Sequence, residues 1–361
     1  MTPLEHATGR PLVAVTVGDP AGIGPEIVVK ALADPEVHRA VRPLVFGDRS
    51  GLQRELDGLG TEMTLNAAHD PQDGRYAAGT LDFVDVGALD RPVPYGEISA
   101  EGGRAGYVYL DRAIDAVLEG RVDGVVTAPL NKESLQAAGV PHIDHTAALK
   151  ARAAVREPMT LFLVRTLKIF FLTRHISLRE VADAITREGI AEALELCDLY
   201  LRQLGIEAPR VAVAALNPHG GEQGLFGTEE TDVIRPGVAD ARACGLHALG
   251  PVPADAVFHQ ALEGTYDGVL SLYHDQGHIA AKTLDFHGTI SLTMGLRFLR
   301  TSVDHGTAFD IAGKGIADAR GMVEALLAAG RYALPVKAKI ENKAEPPIDP
   351  GSGSGAGTDR H

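Results

Sequence analysis

The 361-residue sequence contains no tryptophan and only two cysteines, Cys197 and Cys244. Two isolated cysteines exclude a disulfide framework, so the reducing cytoplasm is the expected compartment. The longest apolar runs, such as residues 211–216, are too short to cross a bilayer, and residues 1–10 lack the apolar stretch of a secretory signal. We therefore expect a cytoplasmic protein with no membrane partner.

Positive charge is also scarce, with 34 Lys and Arg against 48 Asp and Glu and a formal net charge of −14. Nucleic acids and anionic membranes favour clustered Lys and Arg, so no nucleic-acid partner is expected. Hydrophobic residues nonetheless make up 45% of the chain, which is enough to build a large core without a metal or disulfide staple. The composition predicts a soluble globular protein.

Apolar strand-like runs alternate with segments of helical period along most of the chain. Residues 12–17 read as a strand that enters a glycine-rich loop and then a helix from Ile27, and a helix over 103–119 leads into a strand over 124–127. Further strands are predicted at 43–46, 160–164, 169–173, 211–216, 268–272 and 289–293, and further helices at 50–59, 178–186, 190–204 and 229–243. This rhythm predicts an α/β fold with parallel strands and crossover helices.

Two segments do not fit this rhythm. Residues 62–82 show no clear periodicity, so we predict a surface excursion there. Residues 344–361 are rich in Pro, Gly and Ser and cannot bury enough apolar surface to offset their chain entropy. We predict a disordered tail.

Polar motifs follow four of the predicted strands. They are residues 129–132, Arg174-His175, Asn217-Pro218-His219 and Tyr273-His274-Asp275. In open α/β sheets, ligands bind outside the carboxyl ends of the strands. We therefore expect the four segments to meet at one crevice.

Three histidines in these motifs, His175, His219 and His274, each follow an apolar strand. A divalent metal held by three imidazoles keeps coordination positions open for substrate, whereas most other histidines should be surface or satisfied core residues. His278 lies four residues after His274 and shares its face if this stretch is helical. It is a fourth ligand, an outer-shell hydrogen-bond donor or a structural residue, and we favour the outer-shell role.

The glycine-rich loop Gly18-Asp-Pro-Ala-Gly-Ile-Gly-Pro-Glu26 is not a dinucleotide fingerprint, because Ile27 stands where the third glycine would be. Ordinary turn geometry and ligand contact both explain a glycine-rich turn after a strand. The unusual order of the residues in this loop favours ligand contact.

Lys282 and Arg300 are isolated cations in apolar surroundings, where recognition of a phosphate or carboxylate is plausible. His145-Thr146 precedes an apolar run, so this pair caps a helix, binds a substrate anion, or both. Asp255 and Asp275 are candidates for acid/base catalysis or for orienting the residues that contact the ligand, although a helix-capping role also explains Asp255. Nucleophilic hydrolysis by residues 302–305 is rejected, because neighbouring residues rarely form a triad and no Gly-x-Ser-x-Gly elbow is present.

With these motifs in order, the chain resembles the 4-hydroxythreonine-4-phosphate dehydrogenase family from about Leu12 to Ala329. The motifs that carry the resemblance are Gly18–Glu26, Asn217–His219, Tyr273–Gly277 and Arg300–Thr307. The resemblance implies an α/β/α architecture similar to isocitrate and isopropylmalate dehydrogenases, which bind NAD without the Rossmann glycines. It implies two domains with a cleft, which we place at 1–130 plus about 305–340, for the cofactor, and at 131–304, for the metal, substrate and dimer interface.

The same resemblance implies roles for individual residues. The metal ligands would be His175, His219 and His274, contributed across a homodimer interface. The substrate would contact His145, Thr146, Lys282, Ser291 and Arg300. We assign acid/base candidates to Asp255, Asp275 and Lys282, and cofactor binding to Gly22, Gly24, Asp304, His305 and Gly306.

The implied activity is oxidation of the C3 hydroxyl of 4-hydroxythreonine-4-phosphate by NAD or NADP with one divalent ion (Zn, Mg, Mn or Co). The β-keto acid then loses carbon dioxide, as in pyridoxal phosphate biosynthesis. Residues 273–279 and 128–133 are similar to a branch acting on 4-phospho-D-threonate or 4-phospho-D-erythronate, which would give dihydroxyacetone phosphate in sugar-acid catabolism. Both substrates carry the phosphate, the C3 alcohol and the carboxylate.

The sequence departs from the family pattern at three positions: Ala147 replaces a common Glu, Ser291 replaces a substrate-binding Asn, and Arg297 replaces a usual Pro. The loss of a carboxylate and an amide is expected to alter recognition at the C2 end of the substrate. It also motivates an alternative of another class, a non-catalytic metal- or metabolite-binding protein. No feature favours a third alternative, an acyltransferase with a coenzyme A site.

Overall fold

The computed structural model describes residues 9–342, so the predicted tail lies outside the described residues. All strands of this part belong to one 12-stranded sheet. The strands are β1 Leu12–Thr16, β2 Arg42–Gly47, β3 Thr64–Ala67, β4 Thr80–Asp85, β5 Gly124–Thr127, β6 Ala154–Val164, β7 Leu167–Phe171, β8 Arg210–Ala214, β9 His247–Val252, β10 Gly268–Ser271, β11 Ile290–Leu296 and β12 Leu299–Val303. Their order across the sheet is β3-β4-β2-β1-β5-β12-β11-β6-β7-β10-β8-β9.

Helices connect the strands and cover the sheet. They are α1 Gly24–Leu32, α2 Pro35–Ala40, α3 Arg49–Leu59, α4 Ala100–Leu118, α5 Lys132–Ala138, α6 His145–Ala153, α7 Val181–Ala184, α8 Arg187–Gln203, α9 Arg235–Ala243, α10 Ala254–Leu262, α11 His274–Leu284 and α12 Arg320–Glu341. α10 and α11 cover an apolar cluster that includes Phe162, Ile169 and Phe171. Within residues 9–342, no helix is long and apolar enough to cross a membrane.

The two parallel halves of the sheet run in opposite directions. β1, β5 and β12 are parallel to one another, and so are β7, β10 and β8. Between them, β11 is antiparallel to both β12 and β6, and β6 is antiparallel to β7. The carboxyl ends of the two halves therefore open at opposite edges of the sheet.

The predicted α/β fold is confirmed as a mixed fold with a large, mostly parallel sheet. The predicted strands and helices are present, with boundaries shifted by a few residues. Residues 62–82 were wrongly predicted as a mere excursion, because β3 and the start of β4 lie there. β3 is an edge strand whose side chains are mostly half-buried, so it lacks a strong apolar signal. The division into two domains stays a prediction.

Candidate active site

The three predicted metal-ligand histidines follow neighbouring parallel strands. His175 follows β7, His274 begins the helix after β10, and His219 follows β8. These three segments therefore meet at one edge of the sheet, as expected. The segment 129–132 follows β5, which runs the other way, so it leaves the opposite edge of the sheet. The charge of its Lys132 nonetheless helps to lower the pKa of His175, so this segment also reaches the site, as the prediction of one crevice requires.

His175 and His274 approach each other, with ring centroids 6.0 Å apart. Nδ1 of His274 lies 2.6 Å from Oδ1 of Asp275, which orients the ring and leaves Nε2 free to coordinate a ligand. His278 stacks on His274 at 3.6 Å and bonds to its carbonyl oxygen, as its spacing predicted. Burial, and then the charges of Arg174 and His274, lower the pKa of His175, so its metal-binding neutral form dominates at neutral pH.

A single chain does not complete a three-imidazole centre. Among residues 9–342, no three His, Cys, Asp or Glu side chains form a group that could hold a metal ion. His219 lies in an irregular loop with φ of 55° and stays apart from the other two rings. The donor chemistry of His175 and His274 thus fits two ligands of a divalent ion, and the part of the chain that the structure describes places no third ligand beside them.

Arg300 is the most unusual cation of this region. It is 7% exposed, and its guanidinium donates to Oγ1 of Thr127 at 2.7 Å and to Oγ1 of Thr293 at 3.1 Å. Burial lowers its pKa to about 10. A buried charge normally pairs with an opposite charge, whereas the hydrogen-bond partners of Arg300 among the described residues are hydroxyl groups, and the charge of Asp144 acts on it without forming an ion pair. The surroundings of Arg300 are therefore a candidate anion subsite.

His145 lies beside this guanidinium. Burial, and then the charge of Arg300, lower the pKa of its imidazole well below the usual value, so the ring is neutral. Its Nε2 is buried without a hydrogen-bond partner and is available to a ligand. The prediction that His145-Thr146 caps the helix was wrong, because Oδ1 of Asp144 accepts the bond from the Ala147 amide at 2.8 Å.

Ser291 borders the subsite, and Lys282 pairs with a residue just after β12, the strand that carries Arg300. Ser291 lies two residues before Thr293 on β11 and therefore on the same face as Thr293, which pairs with Arg300. Lys282 on α11 is not isolated, because its Nζ lies 2.7 Å from Oδ2 of Asp304. This ion pair joins the helix that begins with His274 to the end of β12.

Asp255 and Asp275 line one cavity of about 690 Å³ between α10 and α11. Both are exposed, and Asp275 also borders a second cavity with His175 and His274. Asp255 is the second residue of its helix, whose cap position is Pro253, so the capping explanation for Asp255 was wrong. Asp275 is thus the acidic candidate that contacts the histidine pair.

The predicted cofactor residues are brought together at the opposite edge of the sheet. The amide of Ile23 donates to the carbonyl of Thr307 at 3.0 Å, which packs the glycine-rich loop against residues 304–307. His305 and Gly306 are exposed there. Gly22 and Gly24 are themselves tightly packed, because an added Cβ would lie 2.9 Å from the Thr307 carbonyl oxygen and 2.1 Å from the Val17 carbonyl oxygen, respectively.

Gly24→Ala should therefore destabilise the fold by about 3 kcal/mol or more and lower Tm by roughly 5 °C or more, because backbone cannot yield to the new methyl. Gly51→Ala in α3 is the matched control: no atom lies within 4 Å of its added Cβ, so Tm should stay or rise slightly. Thermal unfolding by circular dichroism measures both. Equal Tm values for the two variants would contradict the packing explanation.

Arg174 has no role of its own among the residues predicted from the sequence. Its Nη1 donates to Oγ1 of Thr160 at 2.5 Å, and burial lowers its pKa. The only sequence signal was its position beside His175 after a strand. Its hydroxyl partner is 14 residues away in the chain and becomes visible only in the folded structure.

The chain is similar to several known proteins. The family model described as "Pyridoxal phosphate biosynthetic protein PdxA" matches residues 39–329. Proteins from Symbiobacterium thermophilum and Halalkalibacterium halodurans, each named "Putative D-threonate 4-phosphate dehydrogenase", are 48% identical over 325 residues, covering 90% of this chain and 97% of each relative.

Two solved structures are also similar over almost their full length. The 4-hydroxythreonine-4-phosphate dehydrogenase of Klebsiella pneumoniae has a TM-score of 0.84 and 39% identity, covering 91% of this chain and 99% of its own. The enzyme of that name from Burkholderia phymatum has a TM-score of 0.80 and 40% identity, covering 90% and 99%.

Proposed function

Because this chain belongs to the pyridoxal phosphate biosynthetic protein PdxA family, we propose that it is an NAD(P)-dependent dehydrogenase of a 4-phosphorylated four-carbon hydroxy acid. Oxidation of the C3 hydroxyl transfers a hydride to NAD(P)⁺ and a proton to a base. The resulting β-keto acid loses carbon dioxide, and a proton is returned to carbon.

Two kinds of phosphorylated acid are candidate substrates. The names of the solved structures favour 4-hydroxythreonine-4-phosphate, whereas the names of the 48%-identical relatives favour D-threonate 4-phosphate, with D-erythronate 4-phosphate as a variant. They share the phosphate, the C3 hydroxyl and the carboxylate, and they differ at C2, which bears an ammonium or a hydroxyl group.

The observation that carries the proposal is the anion subsite at Arg300. A guanidinium buried without a carboxylate partner, beside the unpartnered Nε2 of His145, supports binding of a substrate phosphate or carboxylate. Ser291 borders the same place, Lys282 pairs with Asp304 just after the strand of Arg300, and Thr146 is exposed at the start of α6. Ligand binding would compensate the buried charge.

The histidine pair supports a divalent metal, completed by a second subunit. His175 and His274 would supply two ligands, and His219 of the partner subunit would supply the third, so that the active form is a homodimer. A bound divalent ion lowers the pKa of a coordinated alcohol and stabilises negative charge during decarboxylation. Of the expected ions Zn, Mg, Mn and Co, Zn suits imidazole ligands well, whereas Mg and Mn prefer oxygen ligands.

The proton acceptor would be Asp275, Asp255 or Lys282. Asp275 orients His274 and faces the cavity beside the histidine pair. Lys282 is paired with Asp304, so it could act as the base only after it leaves this partner and loses its own proton. Asp255 lies farther along the α10–α11 cavity.

The cofactor is proposed to bind at residues 304–306 and the glycine-rich loop, at the carboxyl ends of β1 and β12, in a non-Rossmann site. Residues 1–130 with about 305–340 would form the cofactor domain, and residues 131–304 the second domain, in an isocitrate dehydrogenase-like arrangement with a cleft. The contact of Ile23 with Thr307 supports this grouping, because it joins the first segment to the third.

The test is a coupled measurement of NADH or NADPH formation and carbon dioxide release with purified protein and each divalent metal in turn. We expect turnover of at least one of the phosphorylated acids and none of the unphosphorylated acids. Tight binding of a phosphorylated acid without reduced cofactor would instead support the non-catalytic binding protein.

A further inference from the structure

Arg174 is a second cation of the candidate site without a carboxylate partner. It is half-buried in the loop after β7, and its guanidinium donates to Oγ1 of Thr160 on β6. Among residues 9–342, no acidic side chain forms an ion pair with it. Its charge is therefore available to a ligand.

Arg174 and Arg300 point at neighbouring hydroxyl groups. Thr160 on β6 lies directly opposite Thr293 on β11, and Thr293 accepts a bond from Arg300 at 3.1 Å. Directly paired residues of adjacent strands have their side chains on the same face, with Cβ atoms about 5 Å apart. The two guanidinium groups thus converge on one patch of the sheet.

Within residues 9–342, the carboxylates near this patch already have partners, including Asp144, whose charge acts on Arg300 and which lies 3.9 Å from Lys132. The Asp144 carboxylate accepts a hydrogen bond from the Ala147 amide at the start of α6, and the Asp275 carboxylate contacts Nδ1 of His274. The Asp304 carboxylate forms an ion pair with Lys282. Position 147, next to the exposed Thr146, carries an alanine methyl and no acidic group. The site therefore offers cations and hydroxyls and lacks an uncommitted anion.

We infer that Arg174 determines specificity, selecting a substrate whose C2 carries a hydroxyl over one whose C2 carries an ammonium; this rests on the proposed function. A guanidinium and an ammonium both only donate hydrogen bonds and repel each other, whereas a hydroxyl accepts a bond from the guanidinium. Among the described residues, an ammonium in this site would also find only carboxylates that already have partners.

The test compares kcat/KM for D-threonate 4-phosphate and 4-hydroxythreonine-4-phosphate in four proteins: the parent, Arg174→Gln, Arg174→Lys and Arg179→Gln. We expect the parent to prefer the 2-hydroxy acid, and Arg174→Gln to reduce that preference at least about tenfold. Arg174→Lys keeps the charge and should retain the preference within about threefold. Arg179→Gln removes an exposed arginine of the same loop and should change nothing.

The ratio of the two kcat/KM values does not depend on the fraction of folded enzyme, so a partly unfolded variant does not obscure the result. An unchanged ratio in Arg174→Gln, or a parent that prefers the 2-amino acid, overturns the inference and leaves the dehydrogenase proposal intact. A parent that oxidises neither acid overturns both.

Discussion

Arg300→Met is expected to reduce kcat/KM roughly 100- to 1,000-fold without lowering Tm, because it removes a buried charge that has no ion-pair partner among the described residues and that would bind the substrate anion. Methionine has a similar length and no desolvation cost, so the sheet should tolerate it at a position that is 7% exposed. The Thr127 and Thr293 hydroxyls each lose Arg300 as a hydrogen-bond partner, and this loss offsets part of the stability gained by removing the buried charge. Steady-state kinetics and thermal unfolding of the same preparation measure the two effects.

Arg297→Met is the matched control, since Arg297 is exposed three residues earlier in the same hairpin. Its kcat/KM and Tm should both stay close to those of the parent protein. If Arg300→Met instead unfolds the protein at much lower temperature with normal activity of the folded fraction, Arg300 is structural and the anion subsite is refuted.

His175→Ala and His219→Ala should each be inactive, yet their coexpression should restore about a quarter of the parent activity. In a dimer with shared sites, half of the molecules are mixed, and each mixed dimer has one intact site if His219 acts with the histidine pair of the other chain. The separation of His219 from the 6.0 Å pair of His175 and His274 motivates this expectation. Differently tagged chains allow purification of the mixed dimer for activity and metal analysis.

The control pair is His175→Ala with His274→Ala. These two residues lie together in one chain, so every site of their mixed dimer lacks one ligand and no activity should return. Restoration in the control pair and not in the first pair would show that His175 and His274 serve different sites. Inactivity in both pairs would argue against a centre shared between subunits.

Much of the candidate site could be predicted from the sequence. The strand-then-polar-motif pattern located His175, His219 and His274, and these segments do meet at one edge of the sheet. The apolar surroundings of Arg300 in the sequence suggested recognition of an anion, and the structure adds that its side chain is buried. The helix cap at Asp144 and the ion pair of Lys282 with Asp304 were not predicted, because both depend on side-chain directions that residue types alone do not specify.

The sequence by itself determined the alternation of strands and helices, because periodicity and turn chemistry act over a few residues. Only the tertiary structure decided that β11 and β6 reverse the sheet between its parallel halves, because ladder pairing joins residues far apart in the chain. That reversal sends the histidines and the glycine-rich loop to opposite edges, and it places Thr160 opposite Thr293. This long-range pairing determines which cations lie without an ion-pair partner among the described residues. These cations are the groups proposed to bind the substrate.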